Sequence, residues 1–261
     1  MIISILGCGW LGFELGRQLK NDKEYTVKGS TTSSGKLQDL NNNGIIPFLL
    51  DLEKEVPTDF FPCDVLVITV PPSSGNYEAK LKKTVEHIKK AGIEKVLFTS
   101  TTSVYPNING DVTEKDADYL PSPHSGMVML AMEDILRNET EFRTTCLRFA
   151  GLYGPDRHPG RFLAGKKKLK GAQNPVNLIH RDDCIAIINE IIEQDCWGES
   201  FNACSDKHPL RQVFYTYAAR SVGLPEPEFT TEPAPFKIIR SEKLKSALHY
   251  NFHHPDPMDD L

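Results

Sequence analysis

The fold is decided by MIISILGCGWLG, residues 1–12. An apolar run typical of a buried strand leads directly into Gly7, Gly9 and Gly12, at the start of a segment with helical spacing. In such a G-x-G-x-x-G turn, the first glycine permits the tight turn, the second lets a pyrophosphate approach and the third allows close helix–strand packing. The N–H groups at the helix start then face the phosphates. We predict a dinucleotide-binding loop, rather than a plain glycine turn, made of Gly7, Cys8, Gly9, Trp10, Leu11 and Gly12.

The first half of the chain alternates between two hydrophobic periods. Short β-branched or apolar runs, typical of strands, are IISILG, YTVKGS, IIPFLLDL, DVLVITV and KVLFTST. The segments between them have helical spacing, as in WLGFELGRQLKN and YEAKLKKTVEHIKKAG. This alternation predicts βαβ units with right-handed crossovers, which place helices on both faces of a parallel sheet. We therefore expect an α/β protein with a Rossmann-type doubly wound parallel sheet.

The sequence pattern changes after about residue 150. Pieces punctuated by Gly and Pro, such as YGPDRHPG and VGLPEPEFTTEPAPF, alternate there with the helical runs CIAIINEIIEQ and LRQVFYTYAARSVG. No repeat or flexible linker marks a separate module. We expect an NAD(P)-binding domain over residues 1–150, then late strands of the same sheet and a small C-terminal substrate-binding lobe over residues 151–261, without a sharp boundary.

Composition and charge narrow the function classes. The 261 residues carry a net charge of −5, and no apolar run approaches the roughly 20 residues of a membrane span. This balance argues against nucleic-acid binding, and the basic run KKKLK at 166–170 is interpreted as solvated surface rather than an anion contact. The N-terminus lacks the basic region of a signal peptide, which predicts a cytoplasmic protein. Six scattered cysteines without a CxxC pair predict reduced thiols and no metal site.

The end of the second predicted strand selects between the two nicotinamide cofactors. An acidic side chain there would bind the ribose hydroxyls of NAD, but VKGSTTSSGK, residues 27–36, contains none. Thr31, Thr32 and Ser33 can donate to a 2′-phosphate and Lys36 can approach it, so we favour NADP, with NAD as the alternative. Asp51, at the end of the third strand, is either an adenine contact or a turn residue.

Four stretches carry a resemblance to a known family: FTSTTSVYP at 98–106, TTCLRFAGLYGP at 144–155, NLIHRDDC at 177–184 and GESFNACSD at 198–206. In this order and spacing the chain resembles the extended and atypical short-chain dehydrogenase/reductases, including nucleotide-sugar epimerases and dehydratases. The resemblance covers nearly the whole chain. It is nearest to the atypical subgroup, in which the glycine pattern is kept while the active-site residues vary.

The resemblance implies roles for particular residues. Thr101, four residues before Tyr105, matches the hydroxyl that binds the substrate oxygen, and Thr99 and Ser100 before it are assigned to cofactor binding. Arg157 and Arg161 fall where relatives contact substrate phosphates, although an ordinary charged surface loop explains them equally well. Asp182 and Asp183 match a stretch that positions the C-terminal lobe and caps the next helix.

The resemblance also reveals an absence. The acid–base helix of this family carries Y-x-x-x-K, but in SPHSGMVMLAME, residues 122–133, Ser125 and Met129 stand at those two positions. No tyrosine lies between Tyr119 and Tyr153, and no lysine between Lys115 and Lys166. His124 is a candidate acid or base, with helix capping as its alternative role. Tyr119 and Tyr105 are further candidates that the spacing does not favour.

Two functions from different classes compete. The first is an NAD(P)-dependent epimerase, dehydratase or reductase with Thr101 and His124 as catalytic residues, acting on a nucleotide sugar or similar polar small molecule. The second is a non-catalytic NADP(H)-binding protein whose cofactor state is recognised by a partner. The missing dyad favours this second function. We prefer the enzyme because the hydroxyl run at residues 100–103 is kept, and we expect a monomer or homodimer. The intact cofactor loop argues against a third class, a purely structural module.

Overall fold

The computed structural model describes residues 1–23, 25–71, 76–117 and 126–261. The strands in chain order are β1 (Ile2–Leu6), β2 (Thr26–Thr31), β3 (Ile46–Leu49), β4 (Val65–Ile68), β5 (Lys95–Thr101), β6 (Gly110–Val112), β7 (Arg143–Phe149), β8 (Gly151–Tyr153), β9 (Leu178–His180), β10 (Ser200–Ala203) and β11 (Lys237–Ile239). The α-helices are α1 (Trp10–Lys23), α2 (Leu37–Asn42), α3 (Tyr77–Ala91), α4 (Gly126–Arg137), α5 (Gly160–Leu163), α6 (Arg181–Glu193), α7 (Arg211–Ser221) and α8 (Glu242–Leu248).

Seven strands form the central sheet, in the order β10-β7-β5-β4-β1-β2-β3. β1 pairs in parallel with β2 and with β4, and the parallel pairing continues from β2 to β3 and from β4 to β5. The strand order reverses between β1 and β4, which is the topological switch point where sheets of this kind bind ligands. The predicted Rossmann-type doubly wound sheet is thereby confirmed. β1 to β5 fall on the predicted strand runs, and β2 ends one residue beyond its run, at Thr31.

The first of two compact units comprises Met1–Ser100, Val128–Leu147 and Ile191–Ser200. All four residues of β4 are buried, as expected for a central parallel strand that is covered on both faces. α1 buries Leu11, Leu15 and Leu19, which recur every four residues and therefore share one face of the helix. α3 ends at Gly92, whose left-handed φ of 66° provides the cap that a side chain would strain.

The second unit comprises Thr101–Met127, Arg148–Glu190 and Phe201–Leu261. It contains two small parallel sheets, one formed by β6 with β11 and the other by β8 with β9. Its hydrophobic core includes Tyr153, Val176, Leu178 and Phe214. α5 and α7 pack with their backbones close together, since a Cβ added at Gly160 would lie 2.1 Å from the Ala218 carbonyl oxygen.

The second unit contains residues from before and after position 150, because the chain passes from one unit to the other several times. The division into domains at residue 150 stays a prediction, because compactness alone does not define a domain. Among the helices of the described residues, none is long and apolar enough to cross a bilayer.

Candidate functional site

The three glycines of the loop after β1 meet three different constraints, all within the first unit. Gly7 has a φ of +105°, which side chains rarely adopt. A Cβ at Gly12 would lie 2.4 Å from the Gly7 carbonyl oxygen, so only glycine lets α1 pack this closely. A Cβ at Gly9 would meet no atom within 4 Å. Gly9 therefore borders open space, as a loop that admits a pyrophosphate requires.

Hydrogen bonds to β2 hold the loop in place. The Gly7 N–H donates to Ser30 Oγ at 2.9 Å, and the Cys8 N–H donates to the Ser30 carbonyl at 2.7 Å. Burial raises the pKa of the Cys8 thiol to about 12, so the side chain serves packing and not ionic chemistry. α1 begins directly after Gly9, which puts the positive end of its dipole beside the loop. The residues present fit a bound dinucleotide.

The hydroxyl residues after β2 differ in exposure. Thr31 is buried and its Oγ1 accepts the Ser33 N–H at 3.2 Å, whereas Thr32, Ser33 and Lys36 are exposed. Asp51 Oδ1 accepts the Glu53 N–H at 3.0 Å, which supports a role in a turn. Its contact with adenine stays a prediction.

Thr99 and Ser100, which were assigned to the cofactor, both have partners inside the first unit. Thr99 Oγ1 donates to the Ile68 carbonyl at 3.1 Å, and Ser100 Oγ donates to Glu133 Oε1 at 2.6 Å, where both side chains of the second pair are buried. These bonds connect β5 to β4 and to α4. A role of either hydroxyl in cofactor binding stays a prediction.

The second unit contains a polar cavity with a volume of about 360 Å³. The polar residues that line it include Thr101, Ser103, Asn177, Arg211, Tyr215 and Lys237. Hydroxyls, an amide and two cations thus surround one space, which is a set suited to a polar, anionic small molecule. The predicted residue Thr101 belongs to this set. The sequence did not identify the lining residues that follow β9, which are Arg211, Tyr215 and Lys237.

Thr101 lies at the junction of β5 and a 3₁₀ turn, Thr102–Val104. Its Oγ1 accepts the Ser103 N–H at 3.2 Å. Because the oxygen acts as acceptor in this bond, the hydroxyl can still donate to a group in the cavity. This geometry is compatible with the role that the family resemblance implies.

Lys237 is held in place at both its backbone and its side chain. Asn177 brackets the start of β11, because its Nδ2 donates to the Lys237 carbonyl and its Oδ1 accepts the Ile239 N–H, each at 2.9 Å. Lys237 Nζ donates to the Tyr105 carbonyl at 2.6 Å. Burial lowers the pKa of the Lys237 ammonium to about 8. The only signal in the sequence was a lysine between apolar residues in PFKII.

Tyr105 is part of a buried network and does not reach into the cavity as a free acid. Its hydroxyl donates to Asn202 Oδ1 at 2.5 Å and accepts from Arg148 at 2.7 Å. Burial raises its pKa to about 12 in spite of the nearby Arg148 guanidinium. In this arrangement the Tyr105 hydroxyl is used within the network, and the hypothesis that it moves in to replace the missing dyad stays a prediction.

The other predicted reactive residues have varied outcomes. His124, Ser125 and Tyr119 lie outside the described residues. Met129 is buried in α4, so the position expected for the family lysine serves packing. Arg157 and Arg161 are exposed and are not among the residues that line the cavity, so their contact with substrate stays a prediction.

Asp182 and Asp183 are adjacent in α6 but differ in environment. Asp183 is buried and accepts from Tyr250 Oη at 2.6 Å, from the His253 N–H at 2.7 Å and from the His254 N–H at 3.0 Å. It thus anchors the chain after α8, in agreement with the positioning role that the resemblance implied. Asp182 is more exposed, and its N–H donates to His180 Nδ1 at 3.2 Å.

One group of potential metal ligands occurs in the part of the chain that the structure describes, although the sequence predicted none. His180, Asp182 and His254 bring ligand atoms within 4.8 Å of one another. The two imidazoles are stacked, with centroids 3.7 Å apart and planes tilted by 31°. The Nδ1 atoms of both rings already have partners, since His180 Nδ1 accepts the Asp182 N–H and His254 Nδ1 lies 2.7 Å from Asp260 Oδ1. The arrangement therefore does not favour a metal.

Comparison with known proteins agrees with the fold and with the cofactor loop. A sequence model of the NAD(P)H-binding family matches residues 7–195. Protein YeeZ of Escherichia coli is 35% identical over 98% of this chain and 97% of its own length. Two solved structures share the fold. A functionally unknown conserved protein from Silicibacter pomeroyi has a TM-score of 0.81 and 22% identity, with 98% of this chain and 94% of that chain covered.

The second is the UDP-glucuronic acid 4-epimerase from Bacillus cereus, in complex with UDP-glucuronic acid and NAD, with a TM-score of 0.79 and 20% identity. It covers 100% of this chain and 96% of its own. The predicted cofactor class and family resemblance are confirmed. The chain belongs to the NAD(P)H-binding family, and its fold is that of the short-chain dehydrogenase/reductases.

Proposed function

We propose that the protein is an NAD(P)-dependent enzyme of the epimerase, dehydratase or reductase type, acting on a nucleotide sugar or a similar polar small molecule. The observation that carries this proposal is the cavity of the second unit, where the hydroxyls of Thr101 and Ser103 share one space with Arg211 and Lys237. Hydroxyls suit a substrate oxygen, and the two cations suit a phosphate or carboxylate on the same molecule.

Arg211 is well prepared for an anion. Its Nη1 donates to the Lys170 carbonyl at 2.5 Å, and its guanidinium lies over the Phe229 ring, 5.5 Å from the centroid. These contacts restrict the side chain, so less conformational entropy is lost when the guanidinium binds an anion. The nucleotide sugar bound by the similar epimerase carries such groups, which supports this substrate class.

Bound NAD(P) would supply hydride transfer, which the protein's own side chains cannot perform. The loop residues Gly7, Gly9 and Gly12 would hold its pyrophosphate, and Thr101 would donate a hydrogen bond to the reacting oxygen. We further propose NADP as the preferred form. Exposed Thr32, Ser33 and Lys36 follow β2 without an acidic side chain that would repel a 2′-phosphate.

A two-stage experiment tests this function. Fluorescence titration with NADPH and NADH measures both affinities, and we expect NADPH to bind more tightly. Nucleotide sugars are then incubated with the cofactor-loaded protein, and products are followed by chromatography and nicotinamide absorbance. Thr101→Val should lower turnover by roughly 10- to 100-fold without weakening NADPH binding, because a transition-state hydrogen bond is lost.

The matched control is Thr140→Val, since Thr140 is exposed and is not among the residues that line the cavity. It should leave turnover unchanged. Tight cofactor binding with no turnover of any substrate would reject the enzyme and leave a non-catalytic NADP(H)-binding protein. Equal turnover in Thr101→Val and wild type would remove Thr101 from the mechanism.

A further inference from the structure

Among the residues that the structure describes, the cavity of the second unit offers few groups that can exchange a proton. The titratable residues of this described lining are Arg211, Tyr215 and Lys237. A guanidinium stays charged at any biological pH, so Arg211 cannot act as a base. Burial raises the pKa of Tyr215 away from neutrality. Lys237 is the remaining one of the three, and burial moves its pKa toward neutrality, to about 8.

The surroundings of Lys237 also fix its reactive atom. Its backbone is held by Asn177 and by the parallel pairing of β11 with β6. Its Nζ donates one N–H to the Tyr105 carbonyl at 2.6 Å. The Tyr105 side chain is itself held by hydrogen bonds to Arg148 and Asn202. A neutral amine that keeps this bond still has a lone pair and a second N–H. Lys237 can therefore change its protonation state without losing its position.

We propose that Lys237 is the proton-transferring catalytic residue of the cavity, acting on the oxygen of a substrate hydroxyl or carbonyl; this rests on the proposed function. In the oxidative direction the substrate O–H bond breaks and its proton forms a new N–H bond on neutral Nζ. Bound NAD(P)⁺ would be the oxidant that accepts the hydride from the carbon's C–H bond, and the C–O bond would become a carbonyl. In the reverse direction the ammonium returns the proton to the oxygen.

A base on β11 would allow proton transfer to continue without the family's dyad. At the dyad's lysine position Met129 is buried and carries no charge. A lysine whose amine is neutral in a substantial fraction of molecules near pH 8 is a competent base, because the best catalytic pKa lies near the operating pH. Lys237 would reach the cavity from β11, a strand far from that helix in sequence.

The first test measures the titration of Lys237 directly and needs neither cofactor nor substrate. Lysine labelled with carbon-13 at Cε is incorporated into the whole protein, and the NMR shifts are followed from pH 6 to 11. Lys237→Arg identifies the signal by its disappearance. We expect a midpoint at about 8, well below the value of about 10.4 for a lysine in a model peptide. A Lys237 midpoint at the model-peptide value would overturn the inference.

The second test compares variants in turnover and in cofactor binding. Lys237→Met should lower turnover by about 10²- to 10⁴-fold, the usual contribution of a general acid or base, with NADPH affinity kept within a factor of about two. Lys237→Arg should not restore turnover, since arginine holds its proton. Lys167→Met, a change of the same kind at an exposed position, should behave as wild type.

The outcomes separate the two proposals. If wild type turns over substrate and Lys237→Met keeps that rate, the Lys237 inference fails while the proposed function stands. If wild type binds no cofactor or turns over no substrate, the proposed function fails, and the role of Lys237 fails with it. A lowered NMR midpoint together with lost turnover in folded Lys237→Met, confirmed by unchanged circular dichroism, would support both.

Discussion

Gly9 and Gly12 belong to one motif, yet the same substitution should affect them differently. At Gly12 an added methyl would lie 2.4 Å from the Gly7 carbonyl oxygen and 2.8 Å from Thr69 Oγ1. We expect Gly12→Ala to destabilise the fold by about 1–3 kcal/mol, as overpacking does. At Gly9 the methyl meets no protein atom within 4 Å, so Gly9→Ala should fold normally. It should instead weaken NADPH binding about tenfold or more, because the methyl occupies the space a pyrophosphate needs.

Thermal unfolding and NADPH titration of both variants check this contrast. Each variant is the other's control, since the chemical change is identical. If Gly9→Ala binds NADPH as tightly as wild type, the pyrophosphate does not lie over Gly9. If Gly12→Ala is as stable as wild type, α1 can move away from the loop at little cost, contrary to the packing described here.

At the scale of elements, the start of α4 makes the closest backbone approach in the second unit. A Cβ at Gly126 would lie 1.9 Å from the Ser103 carbonyl oxygen and 2.6 Å from Val104 Cα. Both contacts are with backbone, so no side-chain rotation relieves them. Gly126 therefore packs directly on the 3₁₀ turn, whose Thr102 and Ser103 line the cavity.

Gly126→Ala should consequently separate α4 from this turn. We expect a loss of stability of about 1–3 kcal/mol and a shift of the Ser103 and Thr101 hydroxyls, with reduced turnover. Differential scanning calorimetry and activity measurements check the two effects. Gly110→Ala is the control, because a Cβ there meets no atom within 4 Å. An unchanged melting temperature in Gly126→Ala would show that the contact is not formed in solution.

Elements that depend on local signals were predictable, and those that depend on distant partners were not. β1 to β5 follow from hydrophobic period, and Gly92 from its place after a helical run. The cavity needed β11, a three-residue strand whose Lys237 contacts Tyr105, 132 residues away in the chain. A contact over that separation, like the hydrogen bond from Asn177 to the Lys237 carbonyl, produces no periodic pattern in the sequence from which it could be predicted. The hydroxyl of Thr101 was foreseen only because a family motif marks it.

At the scale of the whole molecule, buried histidines connect stability to pH. Burial, and then the neighbouring His254, lower the pKa of His180. Its ring also contacts Tyr153, while the carboxylates of Asp182, Asp183 and Asp260 act in the opposite direction and offset part of the decrease. In unfolded chains a histidine titrates near about 6.5. Below that pH the unfolded chain therefore binds more protons than the folded chain does, and acid favours unfolding.

We accordingly expect the melting temperature to fall as the pH decreases from about 7 through about 6.5. For a chain of this size each kcal/mol lost lowers it by about 2–4 °C. Calorimetry between pH 5.5 and 7.5 measures the slope, which should be smaller in His180→Gln because position 180 then has no imidazole to be protonated. His253→Gln removes an exposed ring and should keep the wild-type slope. Since His87, His158 and His208 also have lowered pKa values, some slope should persist in His180→Gln. A melting temperature that rises on acidification would contradict this linkage.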